Sequence, residues 1–402
     1  MVSMQINRLI IRELALEIDK PFISILIGPR QVGKTFLMRQ LQDACLGRGL
    51  KAVFHNLEDP DDLRVFGGTE EQIITRLKEM DADVLFLDEF HYLKNATRIF
   101  KVLFDSGIKL KIFASGSSSL EIHKHLKESL AGRFRLTQVH PLFSTEMSQL
   151  PSYSFDDFLR FGALPGLIHE LTSADRMALL KNVLQTYLLK DIKALIREEN
   201  IRAFNSILYG IAQNQGQVVS VASLARDAGL SEPAIKHHLE LMAQTYVCFP
   251  LDSYSRNLAN ELKKVKKYYL YDTGIRNCIL NDYAKVEERP DKGAIVESFV
   301  ALSLIKQLKP NMELKFWRTR QGDEVDFIML KNRIPVPVEV KYRLSGPIVP
   351  DGMRKFLQKY PDSPYGIVFA KDAVGEVECC NRKVRFMDWQ YAEDLEYLRS
   401  VE

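Results

Sequence analysis

The sequence predicts an α/β chain that opens with a mainly parallel sheet, continues through a helical stretch and closes on a second α/β unit. Three observations carry this expectation. Short apolar runs alternate with amphipathic stretches across the first 120 residues or so, as parallel strands linked by helices would. The run Phe22 to Ile27 enters Gly28 to Thr35, which reads G-x-x-x-x-G-K-T and leads into a helix-compatible segment. Near the other end, ELKFWRTRQGDEVDFIML reads as a hairpin-like pair of strands and is followed by the strand-like IPVPVEVKYR.

At 402 residues the chain is too long for one ordinary core. Its pattern divides at 1–150, 151–205, 206–285 and 286–402. Apolar content of 46% and charged content of 27% are globular values, and a net charge of +3 means that any nucleic-acid face must be local. The five cysteines are odd in number, scattered and without a C-x-x-C pair, so neither a disulfide framework nor a zinc site is expected. No apolar run approaches the ~18–20 residues that span a bilayer. A soluble, cytoplasmic protein is the expectation.

In chain order, residues 4–19 place Ile6, Leu9, Ile10, Leu14 and Leu16 among charges, which predicts an amphipathic helix before the first strand. In the turn that follows, Gly28 and Gly33 bring backbone N–H groups close to phosphate oxygens at a helix start. Lys34 then pairs with the β- and γ-phosphates, and the Thr35 hydroxyl is the expected Mg²⁺ ligand. The candidate nucleotide-binding set is Gly28, Pro29, Arg30, Gln31, Val32, Gly33, Lys34, Thr35 and Phe36, with Ser117 further on. A strand at 51–58 and a helix near 69–80 lead to VLFLDE. There Asp88, at a strand's carboxyl end, can hold Mg²⁺ through water, while Glu89 orients or deprotonates the attacking water.

The strand 109–119 ends in serines. Ser115 or Ser117 reaches the γ-phosphate or the water, or else the serines cap the next helix. Arg133, after Gly132, either reaches a neighbouring subunit's γ-phosphate or pairs with a carboxylate of its own subunit.

These residues resemble a family. GPRQVGKT, LDE, ASGSSS, AGR and FGALP together look like the AAA-type P-loop ATPases of bacteria and archaea that carry a carboxyl-terminal domain of unknown function. The resemblance covers nearly the whole chain and implies ATP and Mg²⁺ as cofactors and a homo-oligomer, with a hexamer as the family's form. It does not say what work hydrolysis performs.

From about Ser154 to Arg202 apolar residues fall at helical spacings, interrupted by Gly162, Pro165 and Gly166 as a hinge. SLARDAGLSEPAIKHHLELM, with Gly229 in its turn, is a helix-turn-helix pattern, and the apolar run after it is a candidate wing. Its second helix opens SEPAIK and lacks the arginine and amide residues that read bases, so a packing role competes with DNA contact. His237 and His238 read as solvated. Lys263, Lys264, Lys266 and Lys267 precede Tyr268, Tyr269 and Tyr271. This run either lines a nucleic-acid strand or flanks a buried β-strand.

In the last unit, Glu297 on a helix, Asp326 on the hairpin, and Glu339 with Lys341 as E-x-K resemble the carboxylate pattern of the PD-(D/E)XK nuclease superfamily, whose fold is restriction-endonuclease-like. Strand alternation puts Glu339 and Lys341 on one face, toward Asp326. Glu297, Asp326 and Glu339 are then candidate Mg²⁺ ligands, with Lys341 orienting water beside Glu339. Arg318 and Arg320 add charge nearby, Asp323 and Glu324 are alternates in a shifted register, and Trp389 reads as packing. Two functions compete: a motor acting on DNA recognised by structure rather than sequence, and a nucleotide-dependent switch whose last domain only binds.

Overall fold

The apolar runs of the first third form strands because they are rich in β-branched and aromatic residues and lie between helices. The computed structural model describes residues 6–116, 131–187, 201–256 and 265–394. Its first strands are β1 (Ile23–Ile27), β2 (Ala52–Asn56), β3 (Val84–Asp88), β4 (Lys111–Gly116) and β5 (Phe134–Gln138). All neighbours pair in parallel, in the order β2-β3-β4-β1-β5. Every residue of β1, β3 and β4 is buried, while the edge strands β2 and β5 are partly exposed.

The chain leaves β1 toward one side of the sheet and leaves β4 toward the other. A crevice therefore opens beyond their carboxyl ends, where doubly wound sheets bind ligands. The helix Lys34–Gly47 starts in that crevice and buries Leu37, Met38, Leu41 and Cys45. The amino-terminal helix is shorter than expected and spans only Ile11–Ala15. Its apolar residues do not form one stripe: Leu14 and Ile18 are buried, whereas Leu9 and Leu16 face solvent. Residues up to 142, with 164–169 and 244–246, make up this first unit.

The second unit begins with the short helix Ser144–Met147 and continues through helices Phe155–Phe161, Ser173–Tyr187, Ile201–Gln213, Val221–Ala228 and Glu232–Gln244. The helical run expected from Ser154 is broken at Gly162, and what was expected beyond Tyr187 lies outside the described residues up to Ile201. Gly229, left-handed at φ +66°, ends Val221–Ala228 and turns the chain into the next helix. An antiparallel pair follows, β6 (Cys248–Leu251) and β7 (Lys267–Leu270).

Helix Thr273–Leu280 locks onto Phe155–Phe161. Asn277 Nδ2 donates to Leu159 O at 3.0 Å and Arg160 O at 2.8 Å, and buried Asp272 accepts from Ala163 N at 2.7 Å. Burial pushes the Asp272 carboxyl above its ordinary range despite the amides that hold it.

The last sheet is mixed. Its strands are β8 (Met312–Arg318), β9 (Glu324–Lys331), β10 (Ile334–Arg343), β11 (Tyr365–Lys371), β12 (Gly375–Cys379) and β13 (Arg382–Met387), in the order β12-β13-β11-β10-β9-β8. Helices Lys292–Lys306 and Asp351–Lys359 pack on it. Trp389 is packing, as expected: it lies against Phe155 and donates to Tyr342 O at 3.2 Å.

A Cβ on Gly274 would stand 1.8 Å from Phe161 O. Gly274→Ala is expected to destabilise the second unit by about 3 kcal/mol or more, because the obstruction is backbone. Urea unfolding monitored on this unit measures it.

Candidate functional site

The turn after β1 is shaped by residues that only a few side chains permit. Gly28 has φ +150°, and a Cβ there would sit 2.2 Å from Val139 O. Gly33 has φ +86° and precedes the first residue of Lys34–Gly47, aiming that helix's free N–H groups into the crevice. Lys34 is only 6% exposed, and its Nζ donates to Gly28 O at 3.0 Å and Pro29 O at 2.8 Å. The ammonium is thus held against the turn by the turn's own carbonyls. Thr35 and Phe36 are exposed on the first helical turn.

Asp88 closes β3, is almost fully buried and accepts a hydrogen bond from Ser115 Oγ. Glu89 is left-handed at φ +53°, an uncommon conformation for this residue type and one that clusters at functional sites. Its N–H reaches Ser115 Oγ at 3.4 Å, and its carboxylate lies 3.2 Å from His91 Nδ1. Of the two candidate serines, Ser115 is at the acid pair, and Ser117 lies outside the described residues. The donors suit Mg²⁺: a hydroxyl from Thr35 and an acid from Asp88 leave room for the waters that this ion retains.

One contributor was missed. Arg8 is buried, and its guanidinium donates to Val32 O at 2.9 Å and His140 O at 2.8 Å, bracing the phosphate turn from below. Nothing in its sequence surroundings distinguishes it from a surface arginine.

Within its own chain Arg133 stands away from the turn. Its carbonyl accepts from Ile23 N at the amino end of β1, roughly 16 Å from the turn at ~3.3 Å per residue. Its Nε lies 2.7 Å from Asp105 Oδ1, and a second guanidinium nitrogen donates to Oδ2. The pairing with a carboxylate of its own chain is the arrangement present.

In the second unit, the β9–β10 ladder runs to Phe327–Val338. Beyond it, Val340 N–H donates to Asp326 Oδ2 at 2.8 Å, where β10 goes on to pair with β11. Lys341 Nζ lies 2.6 Å from Glu339 Oε1 on the same strand face. Burial, then Asp326, push Glu339 up to about 8, and the same two causes push Glu297 up to about 7. Burial pulls Lys341 down, but Asp326 and Glu339 outweigh it and raise it. Asp326 therefore acts on Glu297, Glu339 and Lys341 alike.

The cluster also holds Lys267, from β7. This fully buried ammonium lies 2.6 Å from Glu324 Oε1 and 3.5 Å from Glu297 Oε1, and Tyr269 OH donates to Glu297 Oε1 at 2.6 Å. Arg318 lies 3.3 Å from the other Glu324 oxygen. The expected metal set of Glu297, Asp326 and Glu339 does not fit a divalent ion as placed. Among the described residues no three His, Cys, Asp or Glu side chains converge to hold one, and an ammonium stands among the carboxylates.

The expectation that His238 is solvated is also corrected. His238 is buried beside Phe204, which pulls its pKa down, while Lys236 and His237 are exposed. In the lysine–tyrosine run, Lys267 and Tyr269 point inward, Tyr271 is also buried, Lys266 pairs with Asp252 at 3.1 Å, and Lys263 and Lys264 lie outside the described residues. Asp323 is taken by Lys355, and Arg320 is exposed.

The parallel sheet, its glycine turn and the acid pair define a P-loop nucleotide-binding domain. Residues 20–148 match the AAA domain family, 152–285 match a domain of unknown function (DUF8612), and 292–378 match another (DUF4143). An uncharacterised protein of Mycobacterium tuberculosis is 26% identical over 344 residues, covering 83% of this chain and 73% of the relative. One of Methanocaldococcus jannaschii is 26% identical over 367 residues, covering 84% and 78%.

Among solved structures, the replication initiator DnaA bound to AMPPCP and single-stranded DNA aligns at a TM-score of 0.31 and 15% identity. That alignment covers 61% of this chain and 90% of DnaA. Pif1 helicase from Candida albicans aligns at 0.27 and 13%, covering 44% and 48%. Likeness at these scores says nothing about ligand or partner. No helix among the described residues is long and apolar enough to cross a membrane.

Arg133→Ala is expected to leave ATP turnover within about twofold of the parent, where a trans-acting arginine would be worth on the order of 10³. Steady-state phosphate release measures it.

Proposed function

We propose that this chain is a Mg²⁺-ATP-hydrolysing AAA-type ATPase that uses turnover to rearrange DNA recognised by its structure. The observation that carries the ATPase reading is the convergence of three strand ends: the Gly28–Thr35 turn on β1, Asp88 and Glu89 on β3, and Ser115 on β4. When ATP binds, Lys34 exchanges its carbonyl partners for the β- and γ-phosphates, and backbone N–H groups of the turn take the remaining oxygens. Mg²⁺ supplies charge neutralisation across the phosphates. Thr35 and Asp88 would hold it, and Ser115 fixes the Asp88 carboxylate. Glu89 takes the proton of the attacking water, its approach set by the left-handed backbone at that residue.

DNA as the partner is supported by the helices Val221–Ala228 and Glu232–Gln244 followed by the β6–β7 pair, an element order that suits a winged helix, and by exposed Lys236 and His237 on the second helix. With so few arginine and amide side chains at that helix start, contact with the backbone of DNA suits it better than base reading. Assembly into a ring, with six copies as the first number to test, belongs to the same proposal. A second reading, a slow nucleotide-dependent assembly switch, is favoured by the Glu89–His91 pair, which engages the candidate base.

Lys34→Ala is expected to weaken ATP binding at least tenfold. Glu89→Gln should keep binding and cut turnover by roughly 10²- to 10⁴-fold. Fluorescent-nucleotide titration and phosphate release separate the two effects. Adding branched, double-stranded and single-stranded DNA to the turnover assay then decides the partner: stimulation supports the motor, and flat turnover with all three supports the switch.

A further inference from the structure

The carboxylate cluster of the second unit contains four acids: Glu297, Glu324, Asp326 and Glu339. Three cations face them: Lys267 at Glu324 and Glu297, Arg318 at Glu324, and Lys341 at Glu339. The formal balance is four negative against three positive charges, a deficit of one. A divalent ion placed here would turn that deficit into an excess of one, inside a region where uncompensated charge is costly. Glu339 Oε2 is buried without a hydrogen-bond partner among the described residues.

Lys267 is not an incidental visitor. Its side chain is 1% exposed, it sits in the β6–β7 pair, and its ammonium lies 5.3 Å from the centre of the Phe316 ring. Around it the chain is closed. Val218 bridges to Lys267, and Gly216, left-handed at φ +84°, lies so near Glu297 that a Cβ there would come 2.8 Å from Glu297 Oε1.

We infer that Lys267 is the resident cation of this nuclease-like cluster, standing where a divalent metal would otherwise bind, and that the cluster works as a metal-independent clasp between the β6–β7 hairpin and the last sheet. The domain then binds without metal-assisted cleavage. This inference does not rest on the ATPase reading, because every measurement below is made without nucleotide and its failure leaves Lys34 and Glu89 untouched.

The test is thermal melting of the full chain, with and without millimolar Mn²⁺ or Ca²⁺. The parent protein should melt at the same temperature in both. Lys267→Met strands Glu297 and Glu324 and should melt roughly 5–10 °C lower, and divalent ion should return most of that loss by filling the vacated place. The double variant Lys267→Met/Glu324→Gln removes one stranded charge, so it should melt closer to the parent and gain less from metal. It also keeps the test decisive if the single variant does not fold. A parent protein stabilised by Mn²⁺ in a manner lost in Asp326→Asn would overturn the inference. So would metal-dependent nicking of branched DNA that is lost in Glu339→Ala, or a Lys267→Met protein that folds and shows no metal response.

Discussion

The constraint on which the first unit depends is the close passage of the Gly28 backbone beneath Val139. That contact admits no side chain, and it sets the turn at the carboxyl end of a strand buried on both sides. From it follow the direction of the helix Lys34–Gly47, the position of Lys34 and the proximity of β3's acids. Parallel pairing brings the ends of β1, β3 and β4 to one edge, so groups far apart in the chain share one crevice without needing a common loop. The geometry of the crevice is therefore a property of strand order, and the glycine turn is the feature that this order serves.

Much of this was legible in the residues. The turn and the acid pair carry spacing rules with a direct physical basis, and the strands that bear them are short, apolar and bounded by breakers, so β1, β3 and the helix at Lys34 fall close to where the pattern puts them. What the residues could not show was partnership. Arg133 and Arg8 are both arginines in unremarkable surroundings, yet the first pairs with Asp105 and the second holds two carbonyls beneath the phosphate turn. The difference lies in contacts separated by up to 132 positions, to which local pattern is blind. The amino-terminal helix failed for a related reason: its apolar residues divide between core and solvent, so they do not define one helical face.

The second unit teaches the same lesson about charge. Glu297, Asp326, Glu339 and Lys341 were legible because a helix acid, a hairpin acid and E-x-K follow one another in order. Lys267 was visible only as one lysine in a basic run, and its burial depends on β7 packing against elements that come both before and after it in the chain. A carboxylate pattern describes one half of an electrostatic site. The counter-charges, drawn from elsewhere, decide what that half can hold.

The brace at Arg8 has a practical corollary. Similarity to known AAA domains begins at residue 20, twelve positions after this arginine, so a fragment trimmed to the recognised domain would retain every signature residue and lose the guanidinium beneath them. The carbonyls of Val32 and His140 would then lose the Arg8 donor beside the glycine turn, and the excised piece would be a poor proxy for the intact molecule in any nucleotide titration.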